Sequence, residues 1–306
     1  MTLMNESLIE KLSRLTLQRR AVVLAHNYQR PEVQDAADYV GDSLGLSRQA
    51  AEAKAEVILF CGVDFMAETA AILCPGKKVL VPDTRAGCPM ANMVTARELR
   101  ALKARHPAAR VVCYVNSSAE VKAESDICCT SANAVQVVRS LPADCEIIFV
   151  PDQSLGDYAA KQAGRKLILW PGYCPTHHRI LAADVLRARS EHPGAKVVVH
   201  PECTADVIAL ADHVASTTGI LKVCQSSPAK EFIIGTEIAL LHRLEKENPG
   251  KTFYPASHLA DCPNMKLNTL EKMVWSLEDM AFEVTVPEPV AGRARRAIER
   301  MLAVLP

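Results

Sequence analysis

Short apolar runs recur along the chain, and polar residues and a helical segment follow each of them. The runs VVLAHNY (22–28), VVCYVNS (111–117) and VVVHPEC (197–203) are apolar without alternation and end in polar side chains. Unbroken apolar runs that alternate with helical segments are typical of parallel sheets buried on both faces. The pattern therefore predicts an α/β fold in which polar groups stand at the carboxyl ends of the strands.

Further features recur in the same order, which indicates a threefold internal repeat. After each first strand, an Asp precedes a hydroxyl residue by five positions: Asp38 and Ser43, Asp126 and Ser131, Asp212 and Thr217. A third apolar strand then follows in VILFCGVD (57–64), EIIFVPDQ (146–153) and EFIIGTE (231–237). A fourth strand leads to Cys88, Cys174 and Cys262.

These repeats predict the domain organisation. We expect three pseudo-threefold-related αβα domains around a central site, each with a short four-stranded parallel sheet. The expected boundaries are 1–107 with an N-terminal amphipathic helix, 108–193, and 194–306 with C-terminal helices. The helical segments TARELRALKARH and ILAADVLRARSEH are expected to link one repeat to the next.

The cysteines of the fourth strands are each followed by proline and lie at a regular interval. Chance placement of 11 cysteines and 18 prolines gives fewer than one Cys-Pro pair, but the chain has four. Three of them, at Cys88, Cys174 and Cys262, are separated by 86 and 88 residues (174 − 88 and 262 − 174). The fourth pair, Cys74-Pro75, falls outside this interval. The regular spacing marks these three cysteines as one set.

Three thiolates from three repeats suit a soft metal or an iron–sulfur cluster. The alternative is that they are buried core residues, as single cysteines usually are. No CxxC or HxxxH pair exists, which argues against a local zinc knuckle, and no GxGxxG follows a strand, which argues against a dinucleotide-binding dehydrogenase. A 4Fe-4S cluster held by three cysteines leaves one open iron, which can act as a Lewis acid.

Charge and hydropathy narrow the function classes. Lys and Arg together number 35, and so do Asp and Glu, so the formal net charge is zero. This balance argues against nucleic acid or an anionic membrane as a main partner. The N-terminal segment has no apolar signal core, and no apolar run reaches 18 residues, so we expect a cytoplasmic protein with reduced cysteines.

Several long segments resemble quinolinate synthase, the iron–sulfur enzyme family of bacterial NAD biosynthesis. The segments that carry the resemblance include AHNYQRPEVQDAADYVGDSLGLSRQA, PDTRAGCPMA, CYVNSSAEVKAESDICCTSANA, PGYCPTHHRI, HPECTADVIALADHVASTTGI and ASHLADCPNMKLNTLE. The resemblance extends from about residue 20 to 281. It implies three αβα domains around a 4Fe-4S cluster and condensation of iminoaspartate with dihydroxyacetone phosphate to quinolinate, phosphate and two waters.

The resemblance also implies roles for individual residues. Cys88, Cys174 and Cys262 match the cluster ligands. The positions that match substrate-binding residues are His26, Ser43, Tyr114, Val115, Asn116, Ser131, His177, His200, Pro201, Glu202 and Thr217. Tyr28, Glu202 and His26 are the expected catalytic residues. Some family members carry CxxCxxC near the third ligand, but this chain has only Cys262 there.

Two other functions remain open from the residues alone. A different open-iron hydro-lyase would share the cluster but would need no phosphate site. A non-enzymatic iron–sulfur sensor would need neither the hydroxyl residues nor Glu202. In either reading, Ser43, Ser131 and Thr217 can be plain helix caps. An enzyme that supplies iminoaspartate is a further expected partner of a quinolinate synthase.

Overall fold

The computed structural model describes residues 6–305, which form two compact units. The first unit is made of segments from Met1–Cys88 and Pro263–Pro287. The second is made of segments from Pro89–Cys262 and Glu288–Pro306. The first unit is therefore discontinuous in sequence.

The strands within residues 6–305 form three four-stranded sheets. In chain order they are β1 (Ala21–His26), β2 (Tyr39–Gly41), β3 (Val57–Cys61), β4 (Lys78–Leu80), β5 (Arg110–Tyr114), β6 (Ile127–Cys129), β7 (Ile147–Val150), β8 (Ile168–Leu169), β9 (Lys196–Val199), β10 (His213–Val214), β11 (Glu231–Gly235) and β12 (Thr252–Pro255). The strand orders are β2-β1-β3-β4, β6-β5-β7-β8 and β10-β9-β11-β12. All pairs are parallel. The predicted fold class is confirmed, and each sheet comes from one repeat; the exact domain boundaries stay a prediction.

Helices connect the strands. They are α1 (Leu8–Gln18), α2 (Pro31–Asp35), α3 (Ser43–Glu52), α4 (Asp64–Leu73), α5 (Ala96–Arg105), α6 (Ala119–Ala123), α7 (Ala134–Ser140), α8 (Gln153–Ala163), α9 (Ala182–Glu191), α10 (Ala205–Ile208), α11 (Thr217–Ser226), α12 (Leu240–Glu247), α13 (Leu270–Asp279) and α14 (Glu288–Ala303). The N-terminal helix and both linking helices, α5 and α9, are confirmed. The first five residues of the N-terminal prediction lie outside the described part. Among residues 6–305, no helix has the length and apolar content needed to cross a bilayer.

The Asp of each repeat has a structural role. The carboxylate Oδ2 of Asp38, Asp126 and Asp212 accepts a hydrogen bond from the backbone N–H of Val23, Val111 and Val197, respectively, at 2.8 Å in each case. The side chain thus fixes the start of the second strand beside the first strand. Its recurrence in the sequence reflects the sheet architecture.

The first unit takes its core from both of its chain segments. Apolar side chains of α1, β1 and β3, including Leu15, Val23 and Leu59, form one buried cluster with Met273 and Val274 of α13. Burial of such side chains stabilises a fold by roughly 1.5–3 kcal/mol each. The N-terminal sheet therefore depends on a helix that lies near the other end of the chain.

The fourth strands are shorter than predicted, because they do not extend to the cysteines. They end at Leu80, Leu169 and Pro255, which precede the cysteines by 8, 5 and 7 residues (88 − 80, 174 − 169 and 262 − 255). Pro82 and Pro171 follow the first two strands closely, and Pro255 is the last residue of the third. Because proline has no N–H to donate to the ladder, it ends strand pairing. The cysteines lie in the loops that follow.

Candidate functional site

Polar side chains gather at the carboxyl ends of the first and third strands in each sheet. These two strands are neighbours, and the strand order reverses between them. In open parallel sheets, ligands bind beyond the carboxyl ends at such a switch point. In the second unit, Tyr114 ends β5, His200 and Glu202 follow β9, and Thr236 follows β11.

Glu202 and His177 form a buried hydrogen-bonded pair in the second unit. Glu202 Oε2 lies 2.7 Å from His177 Nδ1, and the two side chains are 4% and 1% exposed. Burial alone raises the pKa of Glu202, but the contacts with His177, His200 and Tyr114 outweigh burial and hold that pKa well below its usual range. Asn116 Nδ2 donates to Glu202 Oε1 at 3.5 Å, so the carboxylate is surrounded by donors.

Both ring nitrogens of His177 have partners, which fixes the ring. Nδ1 lies 3.2 Å from Cys174 Sγ in addition to its contact with Glu202, and Nε2 lies 2.9 Å from Thr236 Oγ1. The ring also stacks on His200 with centroids 4.7 Å apart. His177 therefore connects a partly exposed thiol to a buried carboxylate.

His200 links the carboxylate to a hydroxyl group. The Glu202 backbone N–H donates to His200 Nδ1 at 3.3 Å, so in the neutral ring the proton is assigned to Nε2. That nitrogen lies 3.1 Å from Ser131 Oγ and donates to it. Tyr114, Asn116, Ser131, His177, His200 and Glu202, all predicted as site residues, are thus brought together. Val115 and Pro201 are buried beside them in sequence.

The segment HNY (26–28) of the first unit has a counterpart in the segment HPE (200–202) of the second. The Tyr28 N–H donates to His26 Nδ1 at 3.2 Å, as the Glu202 N–H donates to His200 Nδ1 at 3.3 Å. The His26 and Tyr28 rings meet edge to face, with centroids 4.7 Å apart, and both side chains are buried. The segments HNY and HPE therefore have the same local structure.

The predicted hydroxyl residues stand at helix starts, but neighbouring side chains provide the caps. Ser43 and Thr217 are the first residues of α3 and α11, and the caps are Asp42 and Ser216. Asp42 and Ser216 accept the N–H of Gly45 and Gly219. Ser131 lies three residues before α7. The plain capping interpretation of these three hydroxyl residues is therefore wrong.

The three regularly spaced cysteines differ from most of the others in exposure. Cys88, Cys174, Cys262 and Cys145 are partly exposed, and the other seven are buried. Burial raises the pKa of the Cys61 and Cys203 thiols, which makes them poor metal ligands. Cys61, Cys113, Cys128, Cys129 and Cys224 are therefore core residues, whereas Cys145 is partly exposed.

Each Cys-Pro loop has the same continuation. A short 3₁₀-helix begins three residues after the cysteine in all three repeats, at Ala91–Met93, His177–Arg179 and Met265–Leu267. This repeat makes the three cysteine loops equivalent. A partly exposed thiol in a stiff loop suits a ligand of an iron–sulfur cluster.

Cys174, His177 and Glu202 also offer ligand atoms within 4.8 Å of one another. Two ligands of one tetrahedral metal ion stand about 3.4 Å apart, given metal–ligand distances near 2.1 Å. The 2.7 Å separation of His177 Nδ1 and Glu202 Oε2 is instead that of a hydrogen bond. His177 and Glu202 therefore have the geometry of a hydrogen-bonded pair and not of two ligands of one metal ion.

Sequence reasoning missed three polar residues that follow the third strands. Asp152, Thr236 and Glu237 are fully or almost fully buried. Burial and the nearby Glu202 carboxylate raise the pKa of Asp152 well above its usual value. The signal was present, because the third apolar run of each repeat ends in an acid: Asp64, Asp152 and Glu237.

Comparisons with known proteins agree with this arrangement. The family model described as quinolinate synthetase A protein (NadA) matches residues 10–303. A quinolinate synthase of Methanoregula boonei is 60% identical over 295 residues, covering 96% of this chain and 97% of its own. A quinolinate synthase of Methanosarcina barkeri is 57% identical, covering 97% of each chain, and one of Geobacter metallireducens is 56% identical, covering 98% of each. The chain therefore belongs to the quinolinate synthetase A protein family.

Proposed function

We propose that the chain condenses iminoaspartate with dihydroxyacetone phosphate to give quinolinate, phosphate and two waters. Family membership along almost the whole chain carries this proposal. The hydrogen-bonded set around Glu202 supports it, because pyridine formation requires proton removal from carbon and two dehydrations. A cytoplasmic location is part of the proposal, since the cysteines are reduced and an open-iron cluster suits a reducing compartment.

The cofactor of the proposal is a 4Fe-4S cluster held by Cys88, Cys174 and Cys262. The partial exposure of these thiols and the equivalence of their loops fit this role. When bound, the cluster would supply an open iron that acts as a Lewis acid on a leaving hydroxyl. The chain's own residues would bind the substrates and move the protons.

Substrate carboxylates and phosphate are proposed to bind at the starts of the helices. Ser43 and Thr217 open α3 and α11, both ten residues long, and backbone N–H groups there favour anions. Such sites need no fixed positive charge, which is consistent with a chain of zero formal net charge. Ser131 would add a hydroxyl oriented by His200.

Proton transfers are proposed to run through the buried pair. Glu202 is held ionised by its donors, so it can stabilise a proton that His177 takes from substrate carbon. His177 can return a proton to a leaving hydroxyl, and Thr236 keeps the ring in place.

Asn116 Oδ1 is buried without a hydrogen-bond partner and can accept an N–H from the substrate. Tyr28 and His26 are proposed as further proton carriers.

Anaerobic reconstitution tests the function directly. Iron and sulfide per chain should approach four each, as a 4Fe-4S cluster requires, and quinolinate should form from iminoaspartate and dihydroxyacetone phosphate. Exposure to air should remove the visible absorbance and the activity together. A cluster-loaded chain that dehydrates a hydroxy acid but forms no quinolinate would support a hydro-lyase instead.

Mixing the chain with an enzyme that generates iminoaspartate tests the proposed partner. Because iminoaspartate is unstable, direct transfer should make quinolinate formation resistant to dilution at fixed enzyme ratio. Product formation that falls as expected for free diffusion would argue against a physical partnership.

A further inference from the structure

An acidic residue stands at the end of the third strand in every repeat, beside the cysteine loop of the same repeat. The acids are Asp64, Asp152 and Glu237, and they precede the cysteines by 24, 22 and 25 residues (88 − 64, 174 − 152 and 262 − 237). Sequence separation hides this relation, because the acid and the cysteine belong to different loops. The fold brings each acid and its cysteine loop together within one compact unit.

A similar backbone contact joins the two loops in each repeat of the chain. The carbonyl two residues before each cysteine accepts an N–H from the acid or from the residue after it. These bonds are Asp64 N–H to Ala86 O (2.8 Å), Gln153 N–H to Gly172 O (2.8 Å) and Ile238 N–H to Ala260 O (3.0 Å). Asp152 and Glu237 therefore have the same position relative to their cysteines, whereas Asp64 is displaced by one residue because its own N–H makes the contact.

Glu237 gives the clearest geometry. Its side chain is fully buried, and each carboxylate oxygen accepts from a different segment. Oε2 accepts the Ala239 N–H at 2.9 Å, and Oε1 accepts the N–H of Cys262 itself at 3.2 Å. The Glu237 carboxylate therefore joins Ala239, the residue before α12, to Cys262.

Asp64 and Asp152 have the same arrangement in part. Asp64 Oδ1 accepts the Phe65 N–H at 2.7 Å, and Oδ2 is so near Gly87 that a Cβ there would stand 3.3 Å away. Asp152 Oδ1 accepts the Leu155 N–H at 2.7 Å, and the backbone N–H of Cys174 also faces this carboxylate and favours its charged form. The Asp152 carboxylate therefore joins a helix start to its cysteine, as the Glu237 carboxylate does.

We propose that Asp152 and Glu237 are positioning residues, each of which holds the Cys-Pro loop of its own repeat. The proposal concerns loops whose cysteines are cluster ligands in the proposed function, and to that extent rests on it. A carboxylate is suited to the task because both of its oxygens accept. An amide replacement would direct an NH₂ group at one of the two N–H donors and lose that contact.

Cysteine-specific alkylation of the metal-free, full-length chain tests the pairing. Asp152→Asn should accelerate iodoacetamide labelling of Cys174, and Glu237→Gln that of Cys262. We expect about tenfold in each case, the factor for one hydrogen bond to a charged group. The other two ligand cysteines serve as internal controls, and Glu245→Gln, an exposed acid on α12, serves as the matched variant.

The outcomes are distinct. Equal acceleration of all three cysteines would mean general loosening, and no acceleration would mean that the acids do not hold the loops; either result overturns the proposal. Glu237→Gln carries the test if Asp152→Asn does not fold. A matching rise in the rate of iron release from the reconstituted chain to a chelator would agree with the proposal. If labelling responds as expected but no cluster forms, the proposed function fails and the positioning role stands.

Discussion

Ser131 is a residue for which binding and structural roles make different predictions. Its turn is held by Thr130 and Asn133, since the Thr130 N–H donates to Asn133 Oδ1 at 2.9 Å. Ser131 Oγ instead meets His200 Nε2. Ser131→Ala should therefore raise KM for iminoaspartate at least about tenfold, or lower kcat, because a hydrogen bond to a charged ligand is lost. Steady-state kinetics at constant cluster content measures this.

A helix cap elsewhere in the second repeat provides the control. Ser118 caps α6 by accepting the Val121 N–H, and Ser118→Ala should cost about 1 kcal/mol of stability without changing KM. Quinolinate should bind the wild type and raise its Tm, and should bind Ser131→Ala much less. Equal binding to both proteins would remove Ser131 from the site.

The sequence predicted the type of these residues better than their contacts. The threefold repeat in the sequence predicts that His26, His200 and the hydroxyl residues stand at strand ends and helix starts. The Cys174–His177–Thr236 chain of contacts could not be predicted, since Thr236 lies 59 residues from His177. Only the tertiary packing of the second repeat against the third brings such distant polar atoms to hydrogen-bonding distance.

At the scale of elements, the Cys-Pro loops determine which cysteines can bind a cluster. Cys174→Ala should abolish reconstitution of iron and sulfide. Cys145→Ala should leave both unchanged, although Cys145 is also partly exposed, because it lies outside a Cys-Pro loop. Cys128→Ala, at a buried position, should also keep the cluster. Full iron and sulfide in Cys174→Ala would rule out the three-cysteine site.

The loop after β4 is tied to α13 by a charged side chain. Asp83, which is 7% exposed, accepts from Arg85 at 2.8 Å and from Lys272 at 2.7 Å. Arg85 lowers the pKa of Asp83 well below its usual range; burial opposes this shift, and Lys272 adds to it. Asp83→Asn should reduce the free energy of unfolding by about 1–3 kcal/mol at neutral pH.

The pH dependence of that loss has a definite sign. Because the folded pKa lies below the unfolded value of about 3.9, the stabilisation is complete at pH well above 4 and is lost as pH falls toward the folded pKa. The unfolding free energies of wild type and Asp83→Asn should therefore converge below about pH 4. Asp157→Asn, which breaks an exposed pair with Lys161, should change stability by less than about 1 kcal/mol throughout.

The apolar runs predicted the strands well, but proline changed the fourth one in each repeat. Lys78–Leu80 and Ile168–Leu169 are short because Pro82 and Pro171 cannot donate to the ladder. The predicted extension to the cysteines depended on apolar character alone. Attention to the first proline of each segment, as well as the one after cysteine, would have corrected it.

At the scale of the whole molecule, the first unit requires a segment that is remote in sequence. A chain that ends at Cys262 lacks α13, whose Met273, Val274 and Leu277 complete the core around Leu12 and Val23. We expect such a chain to lose the cooperative unfolding of the first sheet and to bind a hydrophobic dye. Removal of residues 304–306 is the control and should change neither property. A dye-free, cooperative truncated chain would contradict the core assignment.

The first unit is made of two chain segments, and this also affects its folding during translation. The first sheet, with α1, leaves the exit tunnel long before α13 is made, because 181 residues separate Cys88 from Leu270 (269 − 88). At roughly 5–20 residues per second, translation of this interval takes about 10–40 s. During that time one face of the nascent sheet is apolar and uncovered, so the emerging chain is a natural client for holding chaperones, and its first domain can be completed only near the end of synthesis.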